Sequence, residues 1–355
     1  MAVGEVERSA DPAANARAGR AWRWTMVLVT GGALISAAAL APGSSGKPGH
    51  LLVWFLFVGS SVHVASTGWF ITSPDVRRHA VTNDRRGLIG LPLCCVLACG
   101  IAALLIPVHL LNWVLLAVFA WQFHHFQKQN LGLVALAATS AGLRGPRPLE
   151  RRLIMFAGLC GIAALLSDPR LLQLDMYRPL GAVTATAFMG YVAALVVGSF
   201  ALPRSRGKRP ASYCALYLTA LLFPLPIFIF RSPYAAVSGM TIGHGLQYLF
   251  LMGLVARGGR VAGRRHGEIA WVCAIALAGG LALSAASHLH VSGSAALRGV
   301  FGLYVGLVCV HFLVDARLWR LSRPFPRAFL GARLSFLVPP VQGVITRLPI
   351  DRVPI

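Results

Sequence analysis

Long apolar blocks separated by short basic clusters constrain this chain more than any other feature. Stretches of about 18 or more apolar residues are long enough to cross the roughly 30 Å hydrocarbon layer of a bilayer. Ten apolar stretches occur, at 24–42, 51–72, 88–106, 108–128, 153–167, 179–202, 211–230, 234–256, 269–287 and 298–319, all but 153–167 of at least that length. Composition agrees: 56% of residues are hydrophobic and 12% charged, with a mean hydropathy of +0.68. A soluble domain carries roughly 25% charged residues. The expected fold class is all-α, a polytopic transmembrane bundle of about ten helices spanning residues 23–322.

The basic residues orient the spans. Lys and Arg are retained on the cytoplasmic side of a membrane. One set of connections holds Arg77, Arg78, Arg85 and Arg86, then Arg144, Arg147, Arg151 and Arg152. It continues with Arg204, Arg206, Lys208 and Arg209, then Arg257, Arg260, Arg264 and Arg265. Both ends of the chain are equally basic. The alternate connections hold only Lys47, Arg170, Arg178, Arg231 and Arg298. Ten crossings, with both termini in the cytoplasm and the protein in the plasma membrane, reproduce this alternation. Residues 24–41 also fit a cleaved signal, ending Ala39-Leu40-Ala41. Residues 1–22 read as a disordered arm. Residues 323–355 read as a Pro-rich cytoplasmic tail whose Phe329–Val338 stretch rests on the membrane surface.

The net charge of +22 does not mark a nucleic-acid binder. The cations lie between apolar blocks rather than on one face of a soluble domain. The seven cysteines form no CxxC pair and all lie in apolar blocks, where a free Cys acts as a small hydrophobe.

Ionisable side chains inside a span are costly and mark functional sites. Four spans carry them: Ser61-Val62-His63-Val64-Ala65-Ser66-Thr67, Phe123-His124-His125-Phe126-Gln127-Lys128-Gln129-Asn130, Gly243-His244-Gly245-Leu246-Gln247-Tyr248 and His311-Phe312-Leu313-Val314-Asp315. All four run in the same direction. At 1.5 Å per residue their histidines fall within about 9 Å of one depth. His63, His124, His125, His244 and His311 are therefore candidate metal ligands. Thr67, Gln127, Lys128, Gln247, Tyr248 and Asp315 lie one turn away on the same helix faces, suited to orienting ligands or moving protons. A donor set dominated by imidazole suits iron, copper or zinc. Iron is the leading expectation, with haem as an alternative cofactor.

The four boxes, HVASTG, HHFQKQNLG, HGLQYL and HFLVDARLW, resemble those of a group of uncharacterised multi-pass bacterial membrane proteins. In that group the last box pairs a His-aromatic dipeptide with Asp, Trp and Arg, here His311, Phe312, Asp315, Trp319 and Arg320. The resemblance implies that the boxes act together. A more distant likeness, in architecture and histidine distribution only, is to the Brp/Blh carotenoid-cleaving dioxygenases. There a few intramembrane histidines hold a catalytic iron.

These readings lead to the expectation of a metal-dependent membrane oxidoreductase acting on a membrane lipid or lipophilic small molecule, with a redox partner of unknown identity. The same residues also suit a transporter or channel using His and Asp, or a bis-His haem protein that moves electrons.

Overall fold

A computed structural model describes residues 12–43, 46–174, 176–202, 209–258, 267–291 and 294–338. Among these residues the regular structure is helical, with no strand. In chain order the helices are α1 (Pro12–Leu40), α2 (His50–Thr72), α3 (Pro74–Thr82), α4 (Arg86–Leu105), α5 (Val108–Ser140) and α6 (Pro148–Ser167). They continue with α7 (Gly181–Ala201), α8 (Ala211–Leu222), α9 (Leu225–Ile229), α10 (Tyr234–Gly258), α11 (Glu268–Ser287), α12 (Ala295–Leu318) and α13 (Pro324–Gly331).

Seven helices are long and apolar enough to cross a membrane: α1, α2, α4, α7, α10, α11 and α12. The other three expected crossings also fall on helices. However, α5 is interrupted by the polar run His124–Asn130, α6 opens with Glu150, Arg151 and Arg152, and α8 is only 12 residues long. Length and composition therefore qualify seven of the ten expected crossings among the described residues. The outer surface agrees with a lipid environment. Leu28, Ile35, Leu105 and Met189 each expose 66–77% of their surface, far more apolar exposure than a water-facing protein sustains.

Burial divides the spans into two classes. The apolar windows of α10, α12 and α2 are 72%, 50% and 44% buried, against 17–28% for α1, α4, α7 and α11. The three most buried spans are three of the four that carry intramembrane histidines. Small residues allow this depth. Gly239, Gly243 and Gly245 on α10 face close neighbours; a Cβ on Gly239 would lie 2.9 Å from the Leu34 Cα of α1.

Three expectations at the ends of the chain need correction. Residues 12–22, expected within a disordered arm, form the first turns of α1, and Trp22 is 3% exposed. An indole buried in the core outweighs the low hydropathy of the segment. Arg23, which stands just before the first expected span and belongs to the basic N-terminal end, is buried and donates to Ser212 Oγ (2.8 Å) and Ser140 Oγ (2.7 Å), tying α1 to α8 and α5. The Phe329–Val338 stretch does not lie free on a surface. Phe329, Leu330, Leu334, Leu337 and Val338 pack into the main apolar core. Of the expected arm and tail, residues 1–11 and 339–355 lie outside the described residues, as do Arg204, Arg206, Lys208, Arg260, Arg264 and Arg265.

Candidate metal centre

The site is built from a backbone contact outward. Residues 58–62 of α2 form a π-helical turn directly before His63. Such single turns shift the register of the side chains that follow and recur at functional sites. At this turn α2 meets α10 with almost no space between backbones. A Cβ on Gly245 would lie 2.3 Å from the Gly59 carbonyl oxygen, and one on Gly59 would lie 2.6 Å from the Ile242 Cα. Gly245 follows His244, and Gly59 precedes His63 by about one turn. The contact therefore sets the distance between two of the imidazoles.

Gly245→Ala is expected to cost about 1–3 kcal/mol, as overpacking of a tight contact does, and to weaken metal retention with it. Thermal unfolding and metal content of the purified variant check both. Unchanged values would mean that the two helices can part without consequence.

Four imidazoles from four helices converge. The ring centroid of His63 lies 5.0 Å from that of His244 and 4.9 Å from that of His311. His125, on α5, lies 5.0 Å from each of the same two rings. His244 and His311 are 6.1 Å apart. His63, His244 and His311 are 0–3% exposed, and one ring nitrogen from each lies within 4.8 Å of the others. Nitrogens bound to one ion at about 2.1 Å stand at most about 4.2 Å apart, so small ring shifts close the set. His125, His311 and Asp315 form a second, overlapping group within the same limit.

The ring nitrogens are the informative atoms. Both nitrogens of His63 and of His244, together with Nε2 of His125 and of His311, are buried without a hydrogen-bond partner. Buried polar atoms are normally satisfied, and each exception calls for an explanation. A bound cation supplies one, because neutral imidazole is a common metal ligand. The residues thus fit a metal ion.

A hydrogen-bond chain defines the orientation of His311. Its Nδ1 is 2.7 Å from Thr67 Oγ1, which is 2.9 Å from Tyr248 Oη, and Tyr248 donates to Asp315 Oδ1 at 2.9 Å. Because the phenol proton points to Asp315, Thr67 donates to Tyr248 and accepts from His311 Nδ1–H. This tautomer leaves His311 Nε2 as the ligand atom, with Asp315 Oδ2 3.7 Å away. Asp315 Oδ2 is also 3.7 Å from His125 Nε2. Aromatic planes hold two further rings: Phe126 stacks on His244 at 4.1 Å, and Phe312 lies 4.5 Å from His125.

The candidates divide clearly. His63, His125, His244, His311, Thr67, Tyr248 and Asp315 come together. His124 does not: it is half-buried and makes no ring contact with the cluster, since α5 can aim only one of two adjacent residues inward. Gln127 is a structural tie, donating to the Ile154 and Ala220 carbonyls at 2.7 and 3.1 Å and so joining α5 to α6 and α8. Lys128 is exposed. Gln247 sits beside the cluster in an amide network. It donates to Thr30 Oγ1 (2.7 Å) and Asn130 Oδ1 (3.2 Å) and accepts from Gln129 Nε2 (3.0 Å), which also donates to the His244 carbonyl (3.1 Å).

Sequence reasoning missed Thr30, Asn130, Phe126 and Phe312 as supporting groups. The last three lie within the boxes themselves, so proximity to the histidines was a usable signal. Thr30 offered none. It lies on α1, 217 positions from Gln247, and only packing joins them. No protein-family model matches the chain, and comparisons with curated proteins and with solved structures return no match.

Proposed function

We propose that the protein is a membrane-embedded, metal-dependent oxidoreductase that acts on a lipophilic substrate. The observation that carries this reading is the convergence of four imidazoles with unpartnered ring nitrogens in the most buried part of an apolar bundle. His63, His125, His244 and His311 would hold the ion, with Asp315 within reach. Iron is the ion proposed. Bound there, it would supply oxygen activation or Lewis acidity. Centroid spacings of 4.9–6.1 Å favour a bare ion over a haem, which needs a flat slot between its axial imidazoles.

The surroundings support a lipophilic substrate. An open cleft of about 280 Å³ is lined by residues of α2, α11 and α12, nearly all apolar. Ile71, 63% exposed, stands at its outer edge, while Thr67 and His311 provide its polar end. An apolar chain entering sideways from the bilayer would reach the His311 ring without crossing water. Thr67, Tyr248 and Asp315 would hold that ring and pass a proton along their hydrogen-bond chain. The same reading includes ten crossings, with α5, α6 and α8–α9 completing the bundle, and both termini in the cytoplasm. The one-sided distribution of Lys and Arg supports it.

The test is metal content and oxygen uptake of the detergent-purified protein, with and without added membrane lipid extract. About one transition-metal ion per chain and lipid-dependent uptake are expected, both lost in His311→Ala. Asp315→Asn should keep most of the metal while uptake falls about 10–100-fold, the usual effect of removing an outer-shell partner. Wild-type protein without stoichiometric metal, but with proton or cation flux in liposomes, would replace this reading with a transporter.

A further inference from the structure

None of the cysteines belongs to the imidazole cluster, yet three of them meet elsewhere. Cys95 and Cys99 lie one turn apart on α4, and Cys309 lies on α12; their sulfurs are all within 4.8 Å of one another. The two residues on α4 share a face because they are four apart. Their meeting with Cys309 depends on glycine. A Cβ on Gly302 would lie 2.4 Å from the Cys99 carbonyl oxygen, and one on Gly306 would lie 2.6 Å from the Val96 Cα. α4 and α12 therefore touch backbone to backbone beside both cysteines, so the three thiols are held in place by the tightest kind of helix crossing.

The surroundings are apolar. Cys309 is 2% exposed, and Leu111, Phe301 and Val305 complete its cluster, with Cys95 and Cys99 half-buried against it. A purely space-filling role asks only for volume, which alanine or valine supplies. It gives no reason for three sulfurs to converge from two helices onto a glycine-lined contact.

We propose that Cys95, Cys99 and Cys309 form a second metal site, selective for a soft monovalent cation of the Cu(I) type. Thiolate sulfur selects soft ions. Zinc favours four ligands, whereas three sulfurs satisfy Cu(I). One monovalent cation exchanged for one thiol proton also leaves the charge of this apolar pocket unchanged. The site is separate from the imidazole centre. Cys309 is two residues from His311, and two residues turn a helix by about 200°, so the sites face opposite sides of α12.

The test uses the full-length protein, purified without oxygen in detergent and titrated with Cu(I) held by the competing chelator bicinchoninate. One Cu(I) per chain with sulfur ligation by X-ray absorption is expected. Replacing Cys95, Cys99 and Cys309 together by Ser should abolish competition with the chelator, and replacing Cys160, Cys214 and Cys273 by Ser should not. A second measurement needs no variant to fold. Cu(I) should protect Cys95 and Cys99 of the wild type from N-ethylmaleimide, read residue by residue by mass spectrometry, while the exposed Cys94 and Cys273 stay reactive. No uptake, nitrogen-only ligation, or equal labelling with and without Cu(I) would overturn the proposal.

Discussion

His244→Ala will empty the imidazole site of the purified protein, from about one histidine-bound metal ion per chain to less than about a tenth. His244 is fully buried and its ring lies within 5.0 Å of His63 and of His125. No neighbouring side chain can take its place, because Phe126 covers one face of the ring at 4.1 Å. Outer-shell changes alone typically cost 10–100-fold in metal affinity, and loss of a ligand costs more. The control is His124→Ala, one position from a proposed ligand but outside the cluster; its metal content should equal that of the wild type. His244→Asn, closer in volume, separates loss of the donor from loss of packing. Elemental analysis reads all three. Equal metal loss in His124→Ala and His244→Ala would disconnect the imidazole cluster from metal binding.

The largest effect on stability is expected at the other end of the bundle. Glu150 is 1% exposed at the start of α6, and its carboxylate is surrounded by donors. Oε2 accepts from Tyr213 Oη (2.9 Å) and the Arg147 backbone N–H (2.8 Å), while Oε1 pairs with Arg209 Nη2 at 3.1 Å. Arg209 is itself 8% exposed and lies 4.7 Å above the Tyr213 ring. Removing one partner of a buried pair leaves the other charge uncompensated, at a cost of about 3–5 kcal/mol. Glu150→Ala should therefore unfold well below the wild type in detergent. Adding Arg209→Met should recover much of the loss, because no charge is then stranded. Equal stability of the single and double variants would show that a stranded Arg209 charge is not what destabilises Glu150→Ala.

Much of the site was legible because it is written in local spacing. His63 with Thr67 and His311 with Asp315 are four apart, and a helix puts each pair on one face. Thr67, His311 and Asp315 take part in the hydrogen-bond chain, and His63 joins the imidazole cluster beside it. Gln127, three from His124 and so also on its face, proved to be a tie between helices. Spacing tells which residues share a face; it does not tell which way that face points. For the same reason the pair His124-His125 could be named but not resolved. Hydropathy likewise found all ten apolar stretches, each of which is helical, but composition alone qualifies seven of them to span a membrane.

The order of residues along the chain was enough to specify the all-helical class of the molecule and its candidate polar residues. Apolar blocks require helices in a bilayer, and ionisable groups within them are too costly to be incidental. Tertiary structure alone decided which of those groups meet. Gly59 against Gly245 brings His63 to His244, Gly302 and Gly306 bring Cys309 to Cys95 and Cys99, and Thr30 reaches Gln247 across 217 positions. Contacts of this kind depend on how closely two helix backbones approach and at what rotation. Both are set by packing between distant segments, which no local pattern encodes.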